Sequence, residues 1–102
     1  MPVLHTVNKS PYGNQALSSC LRLALPGSHI LLLEDGVYAA LAGHGAERPL
    51  CDYLAHSRVH VLDPDLEARG LSGRNLLAGI ARVDYPGFVE LCVASSKVVA
   101  WF

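Results

Sequence analysis

Charge is scarce in this 102-residue chain: Asp, Glu, Lys and Arg together make 17%, against 51% hydrophobic residues. A typical soluble domain is about 25% charged. A domain this small already exposes much apolar surface. The shortage of charge therefore implies that part of the surface is covered by another protein, and an obligate subunit is expected. The net charge is −1, and the few basic residues are scattered, so no phosphate-binding face forms and direct nucleic-acid binding is not expected. Only three cysteines are present, Cys20, Cys51 and Cys92. They form neither a CxxC nor an even-numbered framework, which argues against a disulfide scaffold and against zinc. GxGxxG and Walker A motifs are missing, so no nucleotide is indicated, and no metal or other cofactor is expected. The longest apolar runs fall far short of the ~20 residues that span a bilayer. The N-terminus carries no basic region followed by an apolar run and a small-residue cleavage site. A cytoplasmic location with no membrane contact is the expectation.

What is there reads as one domain over residues 1–102 in which strands alternate with helices. Val3–Val7 has strand character, and Pro11 and Gly13 break the loop behind it. Asn14 is placed to cap a helix over Gln15–Leu25, which Pro26-Gly27 ends. His29–Leu33 is a continuous apolar run, the mark of a strand buried on both faces. Helical character follows at Val37–Ala42, and after a polar turn at Gly43–Arg48 again from Pro49 to His56. Arg58–Leu62 is a third strand that Asp63-Pro64 ends, with a helical turn at Asp65–Arg69. Leu71–Gly79 has no readable period. Ile80–Val83 is a short strand, Asp84 caps a helix over Pro86–Ser95, and Lys97–Phe102 is the last strand. The fold class is therefore α/β: a single-domain, mostly parallel sheet of about four to five strands with helices on both faces. In such sheets chemistry gathers at the carboxyl ends of the strands. Here those ends carry Asn8-Lys9-Ser10, Glu34-Asp35-Gly36, Asp63 and Asp84-Tyr85.

Cys20 is the candidate that matters most. Leu17, Cys20, Leu21 and Ala24 share one helix face by i, i+3, i+4, i+7 spacing. That spacing favours a packed thiol over a reactive one, because free cysteine packs as a small hydrophobe. Cys20 also lies beyond the first turn, where the helix dipole acts. Cys92 shares a face with Phe88 and Leu91 and reads as core. Cys51 sits early in its helix, which favours a thiolate somewhat, yet packing or plain exposure suits it better. His5, His29 and His60 lie in or beside strands and read as hydrogen-bonded structural residues. His44 belongs to the polar turn and His56 closes a helix. Glu34 and Asp35 could form an acid/base pair, but the reading that Asp35-Gly36 makes the turn and caps the next helix is favoured. Of the terminal Trp101 and Phe102, one is expected to pack inward and the other to meet a partner.

Four of these segments, taken in order, resemble the DsrH/TusB family: Leu4–Pro11, Leu31–Ala40, Val61–Gly70 and Val83–Leu91, with a tryptophan at the end. The resemblance covers nearly the whole chain. It implies a small α/β subunit (DsrE/DsrF/DsrH-like) of a sulfur-relay complex. The implied partners are DsrE-like and DsrF-like subunits in a hetero-hexamer with two copies of each, a sulfur donor of TusA type and an acceptor of DsrC type. Sulfur would travel as a cysteine persulfide. In the TusB branch it goes toward 2-thiouridine in tRNA, and in the DsrH branch it serves dissimilatory sulfur oxidation. DsrH-type members have a cysteine in the first helix where Cys20 stands, and TusB-type members generally do not. The resemblance thus implies a sulfur-carrying Cys20 and the sulfur-oxidation branch. A TusB-type subunit and a purely structural subunit are the alternatives.

Overall fold

The structure is a computed structural model that describes residues 2–43 and 48–102. The turn containing His44 therefore lies mostly outside the described residues. Among the described residues five strands form one sheet: β1 (Val3–Val7), β2 (His29–Leu32), β3 (Arg58–Leu62), β4 (Ala81–Val83) and β5 (Lys97–Trp101). All four pairings are parallel, and the spatial order is β4-β3-β2-β1-β5. The helices are α1 (Ala16–Leu23), α2 (Arg48–Leu54), α3 (Asp63–Ala68) and α4 (Tyr85–Ala94), with a 3-10 segment at Glu34–Ala40.

The strand order decides which face each helix covers. From β1 to β4 the chain always steps in one direction, so right-handed crossovers put all those connections on the same face. The step from β4 back to β5 reverses direction and puts α4 alone on the other. Packing agrees. Val7, Ile30, Leu32, Val59 and Val61 meet Leu17 and Cys20 of α1, Leu50 and Tyr53 of α2, and Leu66 of α3 in one core. Leu4, Leu31 and Leu62 point the other way and meet Phe88, Leu91 and Cys92 of α4. Both faces carry helices, as the alternation of elements predicts, but very unequally.

Local chemistry sets the element ends. The side chain of Asn14 accepts a hydrogen bond from the Ala16 amide at 2.8 Å, which starts α1 one residue later than the spacing predicts. The helix stops at Leu23, two residues before the expected end: Ala24 is already extended, and Leu25, the residue before Pro26, is itself disfavoured in helical geometry. Asp84 caps α4 as expected, accepting from the Gly87 amide at 2.8 Å. Asp63-Pro64 does not merely end β3. Proline suits the first turn of a helix, where its missing N–H is not needed, so these residues begin α3. The helical segment after β2 starts at Glu34, three residues before the predicted Val37, and is 3-10 rather than α.

Candidate functional site

Cys20 is where the sequence places it, on the inward face of α1, and it is 0% exposed. Leu17 is buried beside it in the same core, and Leu21 and Ala24 pack against that core from α1. Burial in this apolar setting pushes the Cys20 thiol up to about 12. The cause is desolvation, which disfavours the charged form. Arg22 lies in the last turn of α1, away from the stripe that points inward. A cavity of about 220 Å³ opens beside α1. Leu17 and Leu21 line it together with Pro11, Ala39 and Leu50, and Cys20 does not. A molecule entering this cleft meets leucine side chains before the sulfur.

The other two cysteines are in different surroundings. Cys51 is exposed on α2, as one of its two readings allows. Cys92 is only partly buried. It packs against Leu4, Leu31 and Leu62 but stays short of the full burial predicted, because α4 lies on the sheet face with no neighbouring helix. The described residues hold no group of three or more His, Cys, Asp or Glu side chains placed to bind a metal.

The carboxylates at the strand ends are tied into structure. Asp35 forms an ion pair with Arg69 at 3.0 Å, and Asp63 one with Arg82 at 3.0 Å. Asp65 accepts from the Glu34 amide at 2.6 Å. That bond pins Glu34 in the left-handed region, φ 49°, where a residue with a Cβ is strained. Glu34 and Asp35 thus shape the turn after β2, but Asp35 does not cap a helix as expected: both lie inside the 3-10 segment, whose cap position is Leu33 with no side-chain cap bond. The tight path continues at Gly36, where a Cβ would collide with the carbonyl of Val7.

The strand histidines are all hydrogen-bonded, as expected, but their pairing was invisible in the sequence. The Trp101 indole N–H donates to His5 Nδ1 at 3.0 Å, so Trp101 is the terminal aromatic that packs in. Phe102 is 83% exposed. His29 Nδ1 lies 3.0 Å from His60 Nε2. Their ring planes differ by 7° and their centroids are 5.2 Å apart. That separation is nearly the N–N distance extended by one ring radius at each end. The rings are therefore edge to edge and coplanar, joined by one N–H···N bond. Of the two possible donors, His60 Nε2 is the better. His60 Nδ1 is buried without a partner, and a proton there would be an unsatisfied donor. Burial first, then His29 and Arg58, lowers His60 to about 4. Burial and then Arg58 also lower His29. His56 and His60 are four residues apart, but α2 has ended before His56 and His60 is in β3, so this spacing makes no helical metal pair.

Residues 9–98 match the family described as DsrH like protein. The chain is 40% identical over 99 residues to the protein TusB of Shigella flexneri, covering 97% of this chain and 100% of that one. It is equally similar, over the same span, to the protein TusB of Escherichia coli O81 strain ED1a. Among solved structures, the ychN protein from E. coli superimposes with a TM-score of 0.83 over 99% of both chains at 21% sequence identity, a likeness of fold. The family match over most of the chain and the full-length identity to TusB proteins agree with the four resembling segments: the chain belongs to the DsrH/TusB family of sulfur-relay subunits.

Proposed function

We propose that this chain is a TusB-type subunit of the relay that supplies sulfur for 2-thiolation of the tRNA wobble uridine. In this reading it completes and shapes the complex, and Cys20 packs rather than carries sulfur. Sulfur arrives from a TusA-type donor and is held as a persulfide on a cysteine of a DsrE-like partner, with a DsrF-like subunit as the third component. The observation that carries the reading is the complete burial of Cys20 behind Leu17 and Leu21. Persulfide exchange requires a thiolate to attack the outer sulfur of the donor persulfide, forming a new S–S bond as the donor leaves as a thiolate. A thiol held near 12 is almost wholly protonated at neutral pH. The full-length likeness to TusB proteins supports the tRNA branch over sulfur oxidation. A cysteine at this helix position then reads as a core substitution in a TusB-type chain.

Intact-protein mass spectrometry tests this. The co-purified complex is incubated with a persulfide-loaded sulfurtransferase, beside a complex carrying Cys20→Ser. The expected result is sulfur on the partner subunit and none on this chain. A gain of one sulfur atom here, absent in the variant, would make Cys20 a relay thiol and overturn the structural role. Loss of tRNA 2-thiolation on deleting the chain, with sulfur oxidation intact, is the expected cellular outcome. The reverse pattern would assign the other branch.

A further inference from the structure

Helix α4 crosses its face of the sheet on a diagonal, over Leu62 of β3, Leu31 of β2 and Leu4 of β1. The corner to one side of that diagonal holds Arg58, His60 and His29. Strand register and side-chain alternation put all three on this same face. Nothing acidic gathers with them. The sheet adds Leu4 and Thr6 from β1 and Ala81 from β4. Helix α4 turns Phe88, Leu91 and Cys92 to the face, and its single charge, Glu90, is exposed. Arg69 and Arg82 are each tied to an aspartate, whereas Arg58 is exposed and has no ion pair among the described residues.

The bond inside the histidine pair decides what this corner offers. With His60 Nε2 donating to His29 Nδ1, a neutral His29 must carry its own proton on Nε2. That N–H has no partner among the described residues and is not buried. His60 is only 8% exposed, so it fixes the His29 ring from behind. Burial and Arg58 hold His29 below its ordinary value, and the ring is neutral at pH 7. Arg58 is the register partner of His29, which sets their Cα atoms about 4.8 Å apart. An open groove of about 430 Å³ runs past His29 at the amino ends of β1 and β2. Pro2, Leu25, Pro26 and Ser28 line it, and no described carboxylate does.

We infer that Arg58 and His29 form a binding site for an oxyanion, with His60 as the positioning residue. The guanidinium supplies a fork of N–H donors and the imidazole Nε2–H one more. Because His29 donates as a neutral ring, binding takes up no proton and persists at neutral pH. A protein carboxylate and a free tetrahedral anion such as sulfate present the same oxygens to these donors. Both donors stand partly in water, so dissociation constants in the millimolar range are expected.

The test is NMR of the full chain, labelled with nitrogen-15 in histidine and titrated at neutral pH and constant ionic strength with sulfate, phosphate and acetate. His29 is expected in the Nε2–H tautomer, with resonances that shift to saturation with at least one of these anions and stay still with chloride. Saturation by acetate alone would mark a protein carboxylate as the natural ligand, and saturation by sulfate or phosphate a free tetrahedral anion. Arg58→Gln should weaken binding at least tenfold in a chain that circular dichroism shows to be folded. His60→Leu should release His29 into a mixture of tautomers and weaken binding severalfold. His60→Gln, whose amide can still donate to His29 Nδ1, should restore both. Shifts that never saturate or that chloride reproduces, indifference to Arg58→Gln, or His29 in the Nδ1–H tautomer would each overturn the inference.

Discussion

Alkylation of the native protein should leave Cys20 untouched while Cys51 reacts. The magnitude follows from two opposing terms. Raising the thiol from 9.0 to about 12 lowers its thiolate fraction at neutral pH by a factor of about 1,000. A more basic thiolate is also a better nucleophile, with a Brønsted coefficient near 0.4–0.5, which returns roughly 1.3 decades. The net chemical penalty is about fiftyfold. Steric closure multiplies it, since Cys20 is fully buried and the neighbouring cleft ends on Leu17 and Leu21. Reaction then requires an opening of the fold, so the rate should track global stability. The assay is iodoacetamide labelling at neutral pH, quenched at intervals and resolved cysteine by cysteine by peptide mass spectrometry. In strong denaturant all three cysteines should label at similar rates. In the native protein Cys20 should lag Cys51 by more than a hundredfold. Labelling of Cys20 within tenfold of Cys51, in a sample shown to be folded, would refute the reasoning and return Cys20 to the relay.

Acid should destabilise the protein through the His29–His60 pair. His60 is held at about 4 in the folded state against an ordinary ~6.5, so the unfolded chain binds more protons between those values, and stability is full above about pH 6.5 and falls as pH drops toward 4. The loss should approach about 3 kcal/mol, measured as urea midpoints against pH, and His60→Gln should flatten the profile over that window. Gly36→Ala should cost more than about 2 kcal/mol in urea unfolding, because its Cβ meets the backbone carbonyl of Val7, which no rotamer change relieves. Asp84→Ala should cost about 1 kcal/mol by removing the acceptor for the Gly87 amide at the start of α4.

β2 was legible because a strand buried on both faces reads as a short continuous apolar run bounded by turn residues, and β1, β3 and β5 were legible as short segments rich in β-branched residues between turn signals. The inward placement of Cys20 was legible because helical spacing alone fixes which residues share a face. The start of α3 was missed where Asp63-Pro64 reads equally as a stop for β3 and as a first turn. The His29–His60 pair could not be read at all. It depends on the register that sets His29 against Arg58 and Leu31 against His60, a relation between strands some thirty residues apart. The segment 71–79 shows no period because it forms no helix or strand. It still buries Leu71 and Leu77, and its residue Leu76 bridges to Leu41.

The scarcity of charge now has a location. Three connections crowd one face of the sheet, and there the core is deep and complete. The other face carries α4 alone across five strands, although parallel sheets are normally buried on both sides. The sequence of α4, Tyr-Pro-Gly-Phe-Val-Glu-Leu-Cys-Val-Ala, has one charge, and yet none of its residues is fully buried. Tyr85, Val89 and Val93 stand exposed along it at i, i+4, i+8 spacing. Val98 and Phe102 extend the apolar surface along β5. A free monomer gains nothing from such residues and risks aggregation through them. Strand order and exposure thus gather five of the large exposed apolar side chains on this face and the adjoining edge, where a single helix leaves the sheet incompletely covered.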